Sequence, residues 1–249
     1  GCIWSNNPEH KSSNLEILNG VLGEDKEEKY VLNWLQNKPF TTVFIDGNHD
    51  NHPRINTYPI TNWHKGKVHQ IRENVFHLIR GEIYEIENHT FFAFGGAASH
   101  DIQDGILDPT EFENYKNFRN KWKQYYNQNK MFRIKNYSWW ESELPTEEEM
   151  QHGLKNLEKH NWQVDFILSH CCATSTMRLI DRYPYLYQSD ILTDYFEEIK
   201  CKTNYSKWLF GHFHNNIQIN SKDILLFEQL QPLILNKQKY YDDIFDYEK

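Results

Sequence analysis

"VFIDGNHDN", residues Val43 to Asn51, sets an apolar run directly against a polar cluster. Val43, Phe44 and Ile45 read as a short buried strand. Asp46-Gly47 stops it, and Asn48, His49 and Asp50 follow at once. Gly, Asn and Asp all favour turns, so the stretch on its own reads equally as a strand-ending turn and as the rim of a site. The pattern recurs twice further along. Val164-Asp165-Phe166-Ile167-Leu168 runs into Ser169-His170, and Trp208-Leu209-Phe210 runs into Gly211-His212-Phe213-His214. Ligands in open α/β sheets gather at the carboxyl ends of strands. If the three strands are neighbours, Asn48, His49, His170, His212 and His214 converge.

The surrounding chain is compatible with such a sheet. Its 249 residues suffice for one sizeable domain, and aromatics at 15% supply a core. The net charge of −8 comes with no long basic block, which disfavours broad binding to nucleic acid or to a membrane surface. Metal ions can still supply positive charge locally for a phosphate. No apolar run approaches the ~20 residues that span a bilayer. Cys2, Cys171, Cys172 and Cys201 form no C-x-x-C pair, so a reduced, cytoplasmic protein is expected. Oligomeric state is not legible.

Periodicity predicts a helix over 24–36, with Tyr30, Val31, Leu32, Trp34 and Leu35 on its apolar face. Strands are predicted at 41–45, 68–71, 75–79, 164–168, 207–210 and 224–230. A hairpin is predicted from 81–86 and 90–94 about Asn88-His89. Between 100 and 160 the composition turns to Lys, Glu, Asn and aromatics, and two helices are expected, roughly 111–127 and 145–160. The fold class is therefore α/β with mixed sheets: one domain over 1–235, a helical insertion at about 100–160, and a charged C-terminal tail over 236–249.

Imidazole suits Zn, Mn, Fe and Ni, while a neutral amide oxygen is a weaker, harder ligand. His212 and His214 share a face if extended; in a loop they reach two different ions. Gly47 and Gly211 permit close approach of the backbone. His64, His69, His77, His89, His152 and His160 have no nameable partners and are assigned to structure. Cys171 and Cys172 read as packing residues, and Trp139-Trp140 as a satellite apolar cluster or an aromatic lip. Arg54 and His100 are secondary substrate-side candidates.

Gly47-Asn48-His49-Asp50, then Ser169-His170, then Gly211-His212-Phe213-His214, in that order, resemble the last three of five motifs of the calcineurin-like metallophosphoesterases, and the insertion resembles that of a bacterial subgroup. The resemblance covers about 41–230. It implies a four-layer α/β/β/α sandwich and two divalent ions, Mn, Fe or Zn. It implies that Asn48, His170 and His212 bind one ion, that His214 belongs to the other, and that His49 serves the leaving oxygen or the transition state. The implied activity is hydrolysis of a phosphate mono- or diester by a metal-bound hydroxide. The family's first two motifs, Asp-x-His and Gly-Asp, have no separate counterpart: the chain contains no Gly-Asp, and its one Asp-x-His, Asp50-Asn51-His52, overlaps the Gly-Asn-His-Asp motif. Gly1-Cys2-Ile3-Trp4 looks like the continuation just after a Gly-Asp motif. An N-terminally truncated member, lacking its first strands and inactive by itself, is therefore expected. The competing readings are a degenerate phosphate-binding or interaction module on the same fold, and a mononuclear zinc hydrolase using His170, His212 and His214.

Overall fold

The computed structural model describes residues 26–180 and 187–233; the expected tail over 236–249 lies outside them. Helix α1 (Lys26–Gln36) leads into β1 (Thr42–Phe44), a one-turn α2 (His52–Ile55), β2 (Ile60–Trp63), β3 (Gly66–Arg72), β4 (Val75–Leu78), β5 (Glu82–Ile86) and β6 (His89–Phe94). Then come β7 (Ile106–Leu107), α3 (Tyr115–Asn127), β8 (Arg133–Ile134) and α4 (Glu147–Lys159). The chain finishes with β9 (Phe166–Ser169), α5 (Thr174–Ile180), α6 (Ile191–Lys202), β10 (Lys207–Phe210), β11 (Ile217–Gln218) and β12 (Asp223–Leu225).

Two mixed sheets result, in line with the expected α/β class. One has the order β1-β4-β3-β2, with β1 parallel to β4. The other has the order β11-β12-β10-β9-β6-β5, in which β6, β9, β10 and β12 run parallel and the two edge strands antiparallel. Strand side chains alternate between faces, and that rule sorts the core. Along β6, Phe91 and Ala93 join Val68, Phe76 and Leu78 in a cluster between the two sheets. Phe92 and Phe94 point the other way, into a cluster with Leu157 of α4, Met177 of α5 and Leu192, Phe196 and Ile199 of α6. On the far side of the first sheet, Val75, Ile71 and Phe44 pack on Leu32 of α1 and Ile55 of α2. The second sheet is thus buried on both faces, which is why its central strands are continuous apolar runs.

Several expectations need correction. Tyr30 and Trp34 are exposed, and Leu32 is the residue α1 buries, beside Glu28, whose carboxylate pairs with Arg54 at 2.9 Å. Strand β2 is absent from the prediction because its hairpin turns on His64 and Lys65, at φ 46° and 72°, without the Asn-Gly signal such turns usually carry. The last strand stops at Leu225, and Leu230 is exposed. Helix α5 and strand β11 are additions. The segment 100–160 is not a single insertion. Leu107, Phe118 and Ile134 form a small core of their own, whereas α4, started by a Thr146–Glu149 capping box, packs on β5 as part of the main body.

A buried ion pair locks the end of β1. Asp46 accepts hydrogen bonds from Arg80 Nε at 3.0 Å and Nη2 at 2.5 Å, and from His77 Nε2 at 3.0 Å. His52 Nδ1 lies 3.5 Å away, and His69 Nδ1 meets His77 Nδ1 at 3.0 Å. Two histidines assigned to structure for want of a partner therefore form a chain ending on Asp46. The Asp46 carbonyl accepts from Gly96 N–H at 2.8 Å, joining the ends of β1 and β6 across the two sheets. Burial raises the Asp46 carboxyl, but Arg80, His77 and His52 outweigh it and hold it well below its ordinary value.

Two outcomes follow. Arg80→Met strands a buried carboxylate and lowers unfolding free energy in urea at pH 7 by about 3–5 kcal/mol; Asp46→Asn in the same background recovers part of it. Because the folded carboxyl titrates below the unfolded one, its stabilisation is complete above the unfolded value of about 3.9 and is lost as pH falls from there toward the depressed folded value. Wild-type stability should drop below about pH 4 more steeply than that of Asp46→Asn.

Candidate metal centre

The three strand ends meet, though not as three neighbours in one sheet. β9 and β10 are adjacent and parallel, with Ser169 opposite Phe210, and Gly211 N–H donates to the His170 carbonyl at 3.1 Å. β1 belongs to the other sheet, so Asn48 reaches His170 from across the sheet–sheet interface. A Cβ at Gly47 would lie 2.8 Å from Cε1 and Nε2 of His170, so the imidazole occupies the space a side chain would take. This contact brings Asn48 Oδ1 to 3.2 Å from His170 Nε2. The His212 ring stands edge-on to His170 with centroids 5.3 Å apart.

His212 and His214 sit in a loop, and both have positive φ, 71° and 48°. For non-glycine residues this backbone region costs about 1–2 kcal/mol each, and such strain concentrates at functional sites. The bend aims the two imidazoles apart. His212 is buried, and His214 is exposed and stacks on Phe227 with centroids 4.9 Å apart. Gly47, Asn48, His49, Asp50, His170, His212 and His214 all line one open cavity of about 430 Å³. The five strand-end residues Asn48, His49, His170, His212 and His214 are therefore brought together. The Gly-Asn-His-Asp stretch is also a turn: Asp50 Oδ2 accepts from Gly47 N–H at 2.6 Å, and Asp50 N–H donates back to the Gly47 carbonyl at 3.3 Å.

Burial keeps the His170 and His212 imidazoles neutral. Burial pushes His170 down to about 4 and His212 well below its ordinary value, and the neighbouring histidines add to both effects. His49 is lowered by burial and then by Arg133. Neutral imidazole is the form that binds a metal. Asn48 Nδ2 donates to Ser99 Oγ at 3.3 Å, leaving its oxygen toward His170. Ser99 Oγ donates to Glu143 Oε2 at 2.6 Å. Burial drives the Glu143 carboxyl up to about 7, against the hydrogen bonds from Ser99 and Trp139. Beside His49, Arg133 Nη2 lies 3.4 Å from the ring Nε2, and Asp101 grips the same guanidinium, with Nε donating at 2.8 Å.

Arg54 is committed to Glu28 and Tyr58 and does not line the cavity. His100 stands edge-on to His212 at 5.5 Å, bordering a second cavity of about 290 Å³. Trp140 is buried beside His52, and Trp139 donates to Glu143, so neither forms a lip over the site. Cys171 and Cys172 are core residues, and with Cys201 they are free thiols. Sequence reasoning missed Ser99, Asp101, Arg133 and Glu143. Ser99 alone carried a signal, since Gly95-Gly96 ends a fourth apolar strand just before it.

Among the described residues, no three His, Cys, Asp or Glu side chains converge closely enough to hold a metal ion. A third donor must come from the Asn48 amide. Its 3.2 Å separation from His170 Nε2 suits two ligands of one ion, since bonds of about 2.0–2.2 Å put neighbouring donors roughly 3 Å apart. The Asn48–His170 spacing thus fits two ligands of a single divalent cation, with the His212 ring edge-on beside them. For a second ion the described lining offers His214 and one carboxylate, Asp50, already engaged in its own turn.

Two substitutions test the local geometry. Gly47→Ala drives a methyl into the His170 ring and should cost about 1–3 kcal/mol of stability, with a displaced His170 resonance by NMR. His214→Gly relieves the left-handed strain and should raise urea stability by up to about 1 kcal/mol; a clear loss would mean that the Phe227 stack outweighs the strain.

No protein-family model matches this chain, and neither a curated protein nor a solved structure shows significant similarity to it.

Proposed function

We propose that this chain carries the metal-binding half of a calcineurin-like metallophosphoesterase site, in a hydrolase of phosphate esters. The observation that carries the reading is the approach of Asn48 Oδ1 to 3.2 Å from His170 Nε2, beside His212, at the ends of strands from two different sheets. An amide oxygen among neutral imidazoles is a donor set for a divalent cation rather than a nucleophile–base pair. The succession of helix, sheet, sheet and helix in the packing clusters is the layering that fold would require.

In this reading Asn48, His170 and His212 hold one Mn, Fe or Zn ion, and His214 faces a second. Bound there, such ions polarise a phosphate and acidify water. The chain's own groups do the rest. His49, on the turn next to Asn48, faces the scissile phosphate and hydrogen-bonds to an oxygen of the ester. Arg133, held beside His49 by Asp101, offers its remaining N–H groups to a phosphate oxygen. The cavity lined by the described residues, of about 430 Å³, is open enough to admit an ester. No helix among the described residues is long and apolar enough to cross a membrane.

The second reading, a phosphate-binding module without turnover, is favoured by the scarcity of carboxylates among the described residues that line the cavity. Metal titration and an aryl phosphate assay separate the two. Mn²⁺ should bind the chain, and Asn48→Ala or His170→Ala should abolish binding; unchanged binding in both variants would remove the proposed centre. Hydrolysis by this chain alone should be near background and should appear when a segment bearing Asp-x-His and Gly-Asp strand ends is joined to it. In that active form Arg133→Ala should raise KM about tenfold or more, the weight of a charge-assisted contact. Phosphate binding with no turnover in the extended protein would favour the non-catalytic module.

A further inference from the structure

Resting on the reading of Asn48 as a metal ligand, we infer that Glu143, acting through Ser99, is a positioning residue that sets which end of the Asn48 amide faces the cavity. The two ends of an asparagine amide are nearly the same shape, but only the oxygen can bind a cation. Something must choose between them. Asn48, Ser99 and Glu143 are all buried, so the end of the amide turned away from the cavity must find its partner within the protein.

The polarity of the chain makes the choice. Glu143 accepts from the Ser99 backbone N–H at 2.8 Å and from Trp139 Nε1 at 3.0 Å, both on Oε1, and from the Ser99 hydroxyl at 2.6 Å on Oε2. A hydroxyl has one proton. Once Ser99 gives it to the ionised Glu143 carboxylate, the oxygen has only lone pairs left for Asn48. It must therefore face the amide nitrogen, which it does at 3.3 Å, and Oδ1 is turned toward His170. Glu143 is held in register by a separate contact: Arg80 Nη2 donates to the Ser142 carbonyl at 2.9 Å while also gripping Asp46. The Glu143 carbonyl lies so close to Gly96 that a Cβ there would approach it to 2.6 Å. One guanidinium thus fixes both the turn that carries Asn48 and the turn that orients it.

Glu143→Gln keeps the shape and reverses the polarity. The glutamine NH₂ donates to Ser99 Oγ, the serine proton is released toward Asn48, and the amide is expected to flip. Ser99→Ala removes the anchor outright. The test has two arms. In the metal-free protein, NOEs should connect the Asn48 side-chain NH₂ to Ser99 Hβ; in Glu143→Gln they should pass to the His170 ring. By titration calorimetry with Mn²⁺, both variants should lose about 10- to 100-fold in affinity, the usual weight of a partner behind a metal ligand, while thermal melts show both still folded. An unchanged amide orientation in Glu143→Gln, or wild-type Mn²⁺ affinity in both folded variants, overturns the inference. A wild-type chain that binds no Mn²⁺ would instead count against the proposed centre, and the NMR arm would still decide the role of Glu143.

Discussion

The buried Asp46–Arg80 ion pair is the constraint on which the rest of the site depends. Removing two charges from water costs several kcal/mol each, and the pair holds only because further hydrogen bonds complete it. Here His77 supplies one to Asp46 and the Ser142 carbonyl accepts one from Arg80. The yield is geometric rather than energetic. Asp46 is the last residue before the Gly47-Asn48-His49 turn, and its carbonyl is tied to Gly96 at the end of a strand in the other sheet. Two independently built sheets are thereby held at one separation, and at that separation His170 fits against the bare face of Gly47.

On this frame sit residues that stability alone would not select. Two histidines occupy left-handed backbone, a third imidazole is crowded against an amide, and a carboxyl is buried deeply enough to titrate near neutrality. Each is a local cost. Together they present neutral nitrogen donors and one amide oxygen to an open cavity. The segment between Asp101 and Glu143 is drawn into the same design. It delivers Arg133 to His49 and Glu143 to Ser99, so a region that reads as an appendage in sequence furnishes groups on two sides of the site.

The sequence by itself determined most strands of the two main sheets and the five residues at the strand ends. Alternating apolar residues fix a face wherever one is buried, and an apolar run that stops at Gly followed by His marks where a strand hands over to chemistry. It also gave the Asn88 hairpin and the Thr146 helix start, whose signals are local. It could not give β2, whose turn uses His64 and Lys65, nor the exposure of Tyr30 and Trp34, since a helix shows which residues are apolar and not which face finds a partner. What only the tertiary structure decided was the assignment of β1 to the four-stranded sheet, apart from β9 and β10, the Asp46–Arg80–His77 brace, and the partners Ser99, Glu143 and Arg133. These are pairings between groups 31 to 84 residues apart, made by side chains with no periodicity of their own, and a pairing of that kind exists only once the sheets have packed.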